Sequence, residues 1–143
     1  PPGERVVDAY ARMLRDPEPA VRMRAADAWD AWESAHIALS AWASPGPLHD
    51  DERMRANFAT LVTHYWSQDC FLDVPILERM DRLVGIPGVL IHGRLDVSGP
   101  AVTPWRLHRA WPGSELHILE DEGHGGPGAV AIASATADRF ARG

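Results

Sequence analysis

Apolar residues recur at helical spacing through the first half of the chain. They predict helices over Glu4–Arg15, Ala20–Leu39 and Asp51–Trp66, because apolar positions three or four residues apart form one face of a helix. Asp50 or Asp51 is the expected N-cap of the third helix, since an aspartate side chain accepts hydrogen bonds from the first free backbone N–H groups. No strand-like alternation interrupts this half, so we expect it to be all helical.

The pattern changes in the second half. A short helix beginning at Pro75 leads to the apolar run Gly88–His92, which has the length and β-branched content of a strand buried on both faces. A helix follows, then a strand over Glu115–Leu119 and a last helix. Strands and helices that alternate in this way are typical of a parallel α/β sheet. We therefore expect a helical domain over residues 1–74 and an α/β domain over residues 75–143.

Length and composition exclude several classes of protein. The 143 residues carry a formal net charge of −6, so a general nucleic-acid binder is not expected, and no apolar segment is long enough to span a membrane. The one cysteine, Cys70, cannot form an internal disulfide and is expected to be a buried small apolar residue in a cytoplasmic protein. The seven histidines show no metal-binding spacing, so we expect no metal and no cofactor.

Polar side chains cluster in the loops that follow the two predicted strands. The first loop contains Asp96 and the second contains His124. Because the carboxyl ends of parallel strands share one edge of a sheet, the two side chains can meet there. An acid beside a histidine fixes the imidazole tautomer and lets the histidine act as a general base. The alternative is structural: Asp96 would order a turn or cap a helix, and His124 would be a solvated loop histidine.

Several segments resemble one family. Val89–Asp96, Leu107–Leu116 and Gly123-His124 resemble the acid- and histidine-bearing end of proline iminopeptidases, which are serine peptidases of the α/β-hydrolase fold. Ala25–Glu33 and His64–Trp66 resemble the helical cap that this family inserts over its active site. The resemblance covers nearly the whole chain, and the Trp-x-x-Trp-Glu and His-Tyr-Trp pieces make it specific.

The resemblance implies a fold, an activity and three site residues. The chain would be the C-terminal part of an α/β-hydrolase sheet preceded by an all-helical cap, within a serine exopeptidase that releases N-terminal proline from small peptides. Asp96 would be the acid and His124 the base of a catalytic triad. Glu33 would bind the free amino group of the substrate's proline. Without the resemblance, Glu33 is better explained as a surface helical charge paired with an arginine.

The chain departs from the family at two points. Val62 occupies the position at which the family commonly has a second glutamate, which leaves room for a broader aminopeptidase or an amidase specificity. No serine lies in a Gly-x-Ser-x-Gly sequence, so the nucleophile is expected to come from a missing N-terminal half of the hydrolase core. The sequence His124–Gly128 is similar to an oxyanion-hole motif, but its place after the last strand favours His124 as the base.

The sequence leaves two other functions open. One is a non-catalytic, hydrolase-like binding module, and the other is a capped α/β-hydrolase that acts as an esterase or amidase. In either case the predicted strands, taken alone, would expose an apolar sheet edge. We therefore expect the chain to pair with the missing half of the core.

Overall fold

A computed structural model describes residues 3–37 and 50–142. Within these residues the chain combines α-helices with a small parallel sheet. The chain divides into two compact units. The helical unit consists of residues 3–35 and 50–73, and the sheet unit contains residues 74–142.

Three α-helices build the helical unit: α1 (Val6–Met13), α2 (Pro19–Ile37) and α3 (Glu52–Ser67). Each lies where the apolar spacing predicts it, although the predicted end of the second helix at Leu39 lies outside the described residues. Asp51 caps α3, because its side chain accepts hydrogen bonds from the backbone N–H groups of the second and third helical residues at 2.9 and 3.0 Å.

The core of the helical unit centres on one tryptophan. Trp29 is buried, and the rings of Tyr10 and Trp66 pack against it edge-on, with ring centroids 5.2 and 5.9 Å away. Small alanines let the helices approach each other closely around it. The buried residues of this cluster are Leu14, Ala25, Ala26, Trp29 and Ala59. The cluster therefore joins all three helices.

A left-handed turn follows α3. Asp69, Cys70 and Phe71 all have positive φ, at 48°, 56° and 57°, which is rare for residues other than glycine. Arg5 donates a hydrogen bond to the Asp69 carboxylate at 3.2 Å, and Phe71 packs against the ring of His64 at 5.2 Å. These contacts hold the turn in place. They also leave Cys70 exposed, so the expectation of a buried cysteine is wrong.

The sheet unit begins with a 3₁₀ helix over Ile76–Leu83 and continues through β1 (Gly88–Gly93), α4 (Val102–Ala110), β2 (Ser114–Leu119) and α5 (Pro127–Arg142). The strands β1 and β2 pair in parallel, as the alternation of strand and helix predicts. The helix α5 packs on β1, and α4 contacts both strands.

Two expectations for the sheet unit are corrected. The short helix after Pro75 is a 3₁₀ helix, and Arg79 interrupts it with a non-helical φ of −125°. The strand β1 was expected to be buried on both faces, but Val89–His92 are only half-buried within the described part of the chain. Both faces of a two-stranded sheet cannot be covered by the few helices that lie beside it here.

Candidate active site

The parallel register places two loops side by side. Gly93, the last residue of β1, pairs with Leu119, the last residue of β2. The loops that carry Asp96 and His124 therefore leave the sheet at the same edge. This edge is where α/β proteins place functional side chains, because the loops after parallel strands converge there.

Backbone hydrogen bonds tie the two loops together. The N–H of Arg94 donates to the carbonyl oxygen of Leu119 at 2.8 Å, and the N–H of Leu95 donates to that of Glu122 at 2.9 Å. The Arg94 guanidinium also forms a two-point ion pair with Glu120, at 2.8 and 2.7 Å. These contacts fix the loops relative to each other, with the backbone bonds contributing more than the solvent-exposed ion pair.

The close approach of the loops requires glycine at the end of β1. A side chain on Gly93 would collide with the backbone carbonyl groups of Glu122 and Gly123. These atoms belong to rigid backbone and cannot move aside as a flexible side chain could. Gly93 is thus the residue that lets the acid-bearing loop lie directly against the histidine-bearing loop.

Asp96 and His124 are in direct contact. The carboxylate oxygen Oδ2 of Asp96 lies 2.8 Å from Nδ1 of His124. The Asp96 side chain is only 6% exposed, whereas that of His124 is 61% exposed. Since Nδ1 is held by the acid, Nε2 is the ring nitrogen left to exchange a proton with another group. The pair thus places a shielded carboxylate against a solvent-accessible imidazole.

Hydrogen bonds keep the acid of this pair ionised. Burial raises the pKa of Asp96, but hydrogen bonds from Ser98, His124 and the backbone N–H of Gly99 outweigh burial and lower that pKa from 3.8 to about 2. Asp96 is therefore a carboxylate throughout the range in which a histidine changes its charge. An ionised acid is what stabilises a protonated imidazole beside it.

Ser98 is the described serine that contacts His124, and it is not placed as a nucleophile. Its Oγ lies 3.2 Å from Nδ1 of His124, the nitrogen already held by Asp96. Histidine activates a nucleophilic hydroxyl through the nitrogen opposite the acid. Of the other serines, Ser114 contacts His108 at 2.9 Å, and Ser40 and Ser44 lie outside the described residues.

A buried glutamate that the sequence interpretation missed supports the histidine loop. The Glu122 side chain accepts hydrogen bonds from the backbone N–H groups of Gly128 and Ala129 at 2.6 and 3.1 Å, and the residue is 4% exposed. It thereby caps the N-terminus of α5. Side chains on Gly126 or Gly128 would strike the Glu122 carboxyl group. The glycines similar to an oxyanion-hole motif leave space for the Glu122 carboxyl group, and the Gly128 N–H donates a hydrogen bond to it.

Glu33, the third site residue implied by the resemblance, lies on α2 in the helical unit. Its Oε1 accepts a hydrogen bond from the indole N–H of Trp29 at 3.1 Å. Trp29 also lines a cavity of about 250 Å³ whose other walls are apolar or aromatic, namely Val6, Val7, Tyr10, Trp32 and Trp66. Glu33 is thus half-buried, and its carboxylate accepts a hydrogen bond from an aromatic side chain.

Val62, at which the resemblance implies a missing second glutamate, is part of the packing of the helical unit. Val62 packs against the core cluster, and the neighbouring Thr63 is fully buried with its hydroxyl bonded to the Ala59 carbonyl oxygen at 2.7 Å. Neither side chain can supply a carboxylate.

Residues 3–37 and 50–142 hold neither a metal-binding cluster nor a membrane-spanning helix. These residues contain no group of three or more histidine, cysteine, aspartate or glutamate side chains arranged to hold a metal ion. No helix formed by them has the length and apolar character to cross a bilayer.

Several known proteins with similar sequences are named proline iminopeptidase. The chain is 44% identical over 94% of its length to a protein of Streptomyces coelicolor named "Probable proline iminopeptidase", of which it covers 43%. It is 37% identical over 87% of its length to the proline iminopeptidase of Xanthomonas citri, covering 41% of that protein. For the proline iminopeptidase of Arabidopsis thaliana the identity is 32% over 85% of the chain, covering 33%. No protein-family model matches the chain.

The chain spans less than half the length of these relatives, and the similarity falls on their C-terminal part. The resemblance found in the sequence is thereby confirmed: this chain is similar in sequence to the C-terminal part of proteins named proline iminopeptidase.

Proposed function

We propose that the chain is the C-terminal part of a serine exopeptidase that releases N-terminal proline from small peptides. The observation that carries the proposal is the 2.8 Å contact between Asp96 and His124 on neighbouring strand-end loops, in a chain similar to proline iminopeptidases. The alternative roles of these residues, a turn-ordering aspartate and a solvated histidine, do not require the acid to be buried behind an accessible imidazole.

In this proposal Asp96 and His124 act as the acid and base of a triad. Asp96 holds the Nδ1–H of His124 and stabilises the imidazolium. Nε2 removes the proton of the nucleophile as it attacks the carbonyl carbon of the prolyl residue. The same nitrogen then returns the proton to the leaving amine, which frees the rest of the peptide. A water molecule, deprotonated by Nε2 in turn, hydrolyses the prolyl ester and releases proline.

The serine nucleophile is supplied by a segment outside these 143 residues. Support comes from the sequence, which lacks a Gly-x-Ser-x-Gly turn, and from the relatives, which are more than twice as long as the matched region. Residues 75–143 would then be the end of an α/β-hydrolase sheet, and residues 1–74 the helical cap. The strands β1 and β2 would be completed by partner strands from the same segment.

The helical unit is proposed to recognise the substrate's N-terminus. Glu33 would accept hydrogen bonds from the secondary ammonium group of the N-terminal proline, because a charge leaving water needs an opposite charge as its partner. The aromatic cavity beside Trp29 offers apolar walls of a size suited to a small ring. These two features lie in one unit, with the Trp29 indole bridging them.

One observation favours a broader specificity as the second candidate. Val62 packs in the core, so a second carboxylate is absent from the position at which the family commonly has one. With one carboxylate, the ammonium group is bound less strongly. The chain would then belong to an aminopeptidase or amidase that also accepts residues other than proline.

A chimaera tests the proposal. The C-terminal part of the Streptomyces coelicolor relative is replaced by this chain over the matched residues, and release of p-nitroaniline from a prolyl anilide is measured. We expect hydrolysis by the chimaera and none by the purified 143-residue chain. Faster cleavage of an alanyl anilide would favour the broader aminopeptidase, and faster cleavage of a simple ester would favour an esterase. A folded chimaera without any hydrolysis would contradict the proposal.

A further inference from the structure

Three hydrogen-bond donors converge on one oxygen of Asp96. The hydroxyl and backbone N–H of Ser98 donate to Oδ1 at 2.7 and 2.9 Å, and the N–H of Gly99 donates to it at 3.0 Å. None of the three reaches Oδ2, which is the oxygen in contact with His124. The two oxygens therefore have separate tasks: Oδ1 anchors the carboxyl group and Oδ2 faces the imidazole.

The anchor matters because the last torsion of an aspartate side chain is soft. Rotation about this torsion is broad and roughly two-fold, so a single hydrogen bond to His124 does not fix the plane of the carboxyl group. Donors converging on Oδ1 restrict that rotation. Of the three, the hydroxyl of Ser98 is the only one that belongs to a side chain and depends on the residue type.

The Ser98 hydroxyl also specifies where the imidazole proton lies. Its single proton is donated to Oδ1 of Asp96, so its oxygen can only accept from His124 Nδ1, 3.2 Å away. Asp96 Oδ2 is likewise an acceptor. Because both neighbours of Nδ1 are hydrogen-bond acceptors, the proton of the neutral ring lies on Nδ1. Nε2 is then unprotonated.

We propose that Ser98 is a positioning residue of the acid–histidine pair: its hydroxyl fixes the carboxyl plane of Asp96 and selects the Nδ1–H tautomer of His124. The catalytic meaning of this inference rests on the proposed function. The effects of Ser98 on the carboxyl plane and on the tautomer do not, because they depend only on its contacts with Asp96 and His124.

The charge state of Asp96 agrees with this role. Several hydrogen bonds outweigh burial and bring the pKa of Asp96 to about 2, and the one from Ser98 lowers it most. His124 is the titratable side chain in contact with the carboxyl group, and the ion pair of Arg94 with Glu120 lies in the same two loops. Removal of the Ser98 hydroxyl eliminates this hydrogen bond and should raise the pKa of Asp96.

The test is an NMR titration of the chimaera, in which the Streptomyces coelicolor relative supplies the rest of the core. Carbon-13 shifts report the Asp96 carboxyl group, and nitrogen-15 shifts report the tautomer of His124. In Ser98→Ala we expect the pKa of Asp96 to rise from about 2 toward 3.8 and the fraction of the Nδ1–H tautomer to fall at neutral pH. Ser98→Cys keeps nearly the same volume with a weaker donor, so both the pKa of Asp96 and the tautomer fraction of His124 should change in the same direction as in Ser98→Ala. Ser98→Thr keeps the hydroxyl and should restore both values.

Ser114→Ala is the matched control. It removes a second serine–histidine contact, that of Ser114 with His108 at 2.9 Å, in which no carboxylate takes part. It should leave Asp96 and His124 unchanged. A wild-type pKa of Asp96 and a wild-type tautomer of His124 in Ser98→Ala and Ser98→Cys would overturn the inference. Failure of the proposed function would appear instead as absent prolyl anilide hydrolysis by the chimaera, whatever the titration shows.

Discussion

The backbone N–H of Leu95 donates a hydrogen bond to the carbonyl oxygen of Glu122 at 2.9 Å. This bond joins the residue before the acid to the residue two positions before the histidine. It forms because Gly93 has no side chain to keep the two loops apart. The contact between Asp96 and His124 therefore depends on a backbone arrangement as much as on the two side chains.

Gly93→Ala should disrupt that arrangement. The added methyl group meets two backbone carbonyl groups, so we expect a loss of at least about 2 kcal/mol in the free energy of unfolding, measured by urea titration. Gly99→Ala is the matched control, since its methyl group would lie 3.6 Å from the nearest atom, an ordinary contact distance. Equal stability of both variants would show that the loops are not packed as closely as described.

The cap on α5 can be tested separately. Glu122→Ala leaves the N–H groups of Gly128 and Ala129 without their acceptor, and we expect a loss of about 1–2 kcal/mol in the free energy of unfolding. Glu120→Ala removes a carboxylate of the same type from an exposed ion pair two residues earlier and should change stability little. If the two variants are equally stable, Glu122 does not cap the helix.

The low pKa of Asp96 predicts how stability depends on pH. Because its folded-state pKa of about 2 lies below the unfolded-state value of about 3.9, the carboxylate stabilises the folded chain at neutral pH. This contribution, on the order of 2 kcal/mol, is lost as the pH falls from about 4 through about 2. Asp96→Asn should be less stable than wild type at pH 7, and the difference should shrink in acid.

Asp138→Asn provides the control for that measurement. It makes the same change of charge at an exposed site on α5, where the carboxylate forms a long ion pair with Arg142 at 3.7 Å. The free energy of unfolding of Asp138→Asn should stay close to that of wild type at every pH. A constant difference between Asp96→Asn and wild type across the acid range would mean that the pKa of Asp96 is not lowered by folding.

Local patterns predicted most of the elements because their stabilising contacts lie close in sequence. The helices α1, α2 and α3 follow from apolar spacing, and the cap at Asp51 follows from residue type. The parallel pairing of β1 with β2 follows from the helix between them, since a strand–helix–strand order favours it. In each case the information lies within one element or its direct neighbours.

Long-range contacts account for what the sequence patterns missed. The left-handed turn at Cys70 depends on Arg5, which lies 64 residues before Asp69 in the chain. The burial of Glu122 depends on the start of α5, which lies where the Glu122 carboxyl group can reach the free N–H groups. The contact of Ser98 with Asp96 could have been predicted from local sequence, because an Asp-x-Ser-Gly sequence favours a turn in which the aspartate accepts hydrogen bonds.

Glu33 should affect substrate binding in the chimaera. Glu33→Gln removes the charge that is proposed to meet the ammonium group, so we expect KM for the prolyl anilide to rise about tenfold or more with a smaller change in kcat. Glu52→Gln, an exposed glutamate in the first turn of α3, is the control and should leave KM unchanged. A wild-type KM in Glu33→Gln would remove this residue from substrate recognition.

The most direct test of the central claim is the turnover of His124→Ala and Asp96→Asn in the chimaera, measured with the prolyl anilide. If the pair supplies base and acid, each variant should fold normally, as judged by circular dichroism, and lose about 10³-fold or more in kcat. Wild-type turnover in either folded variant would contradict the assignment of that residue to the triad.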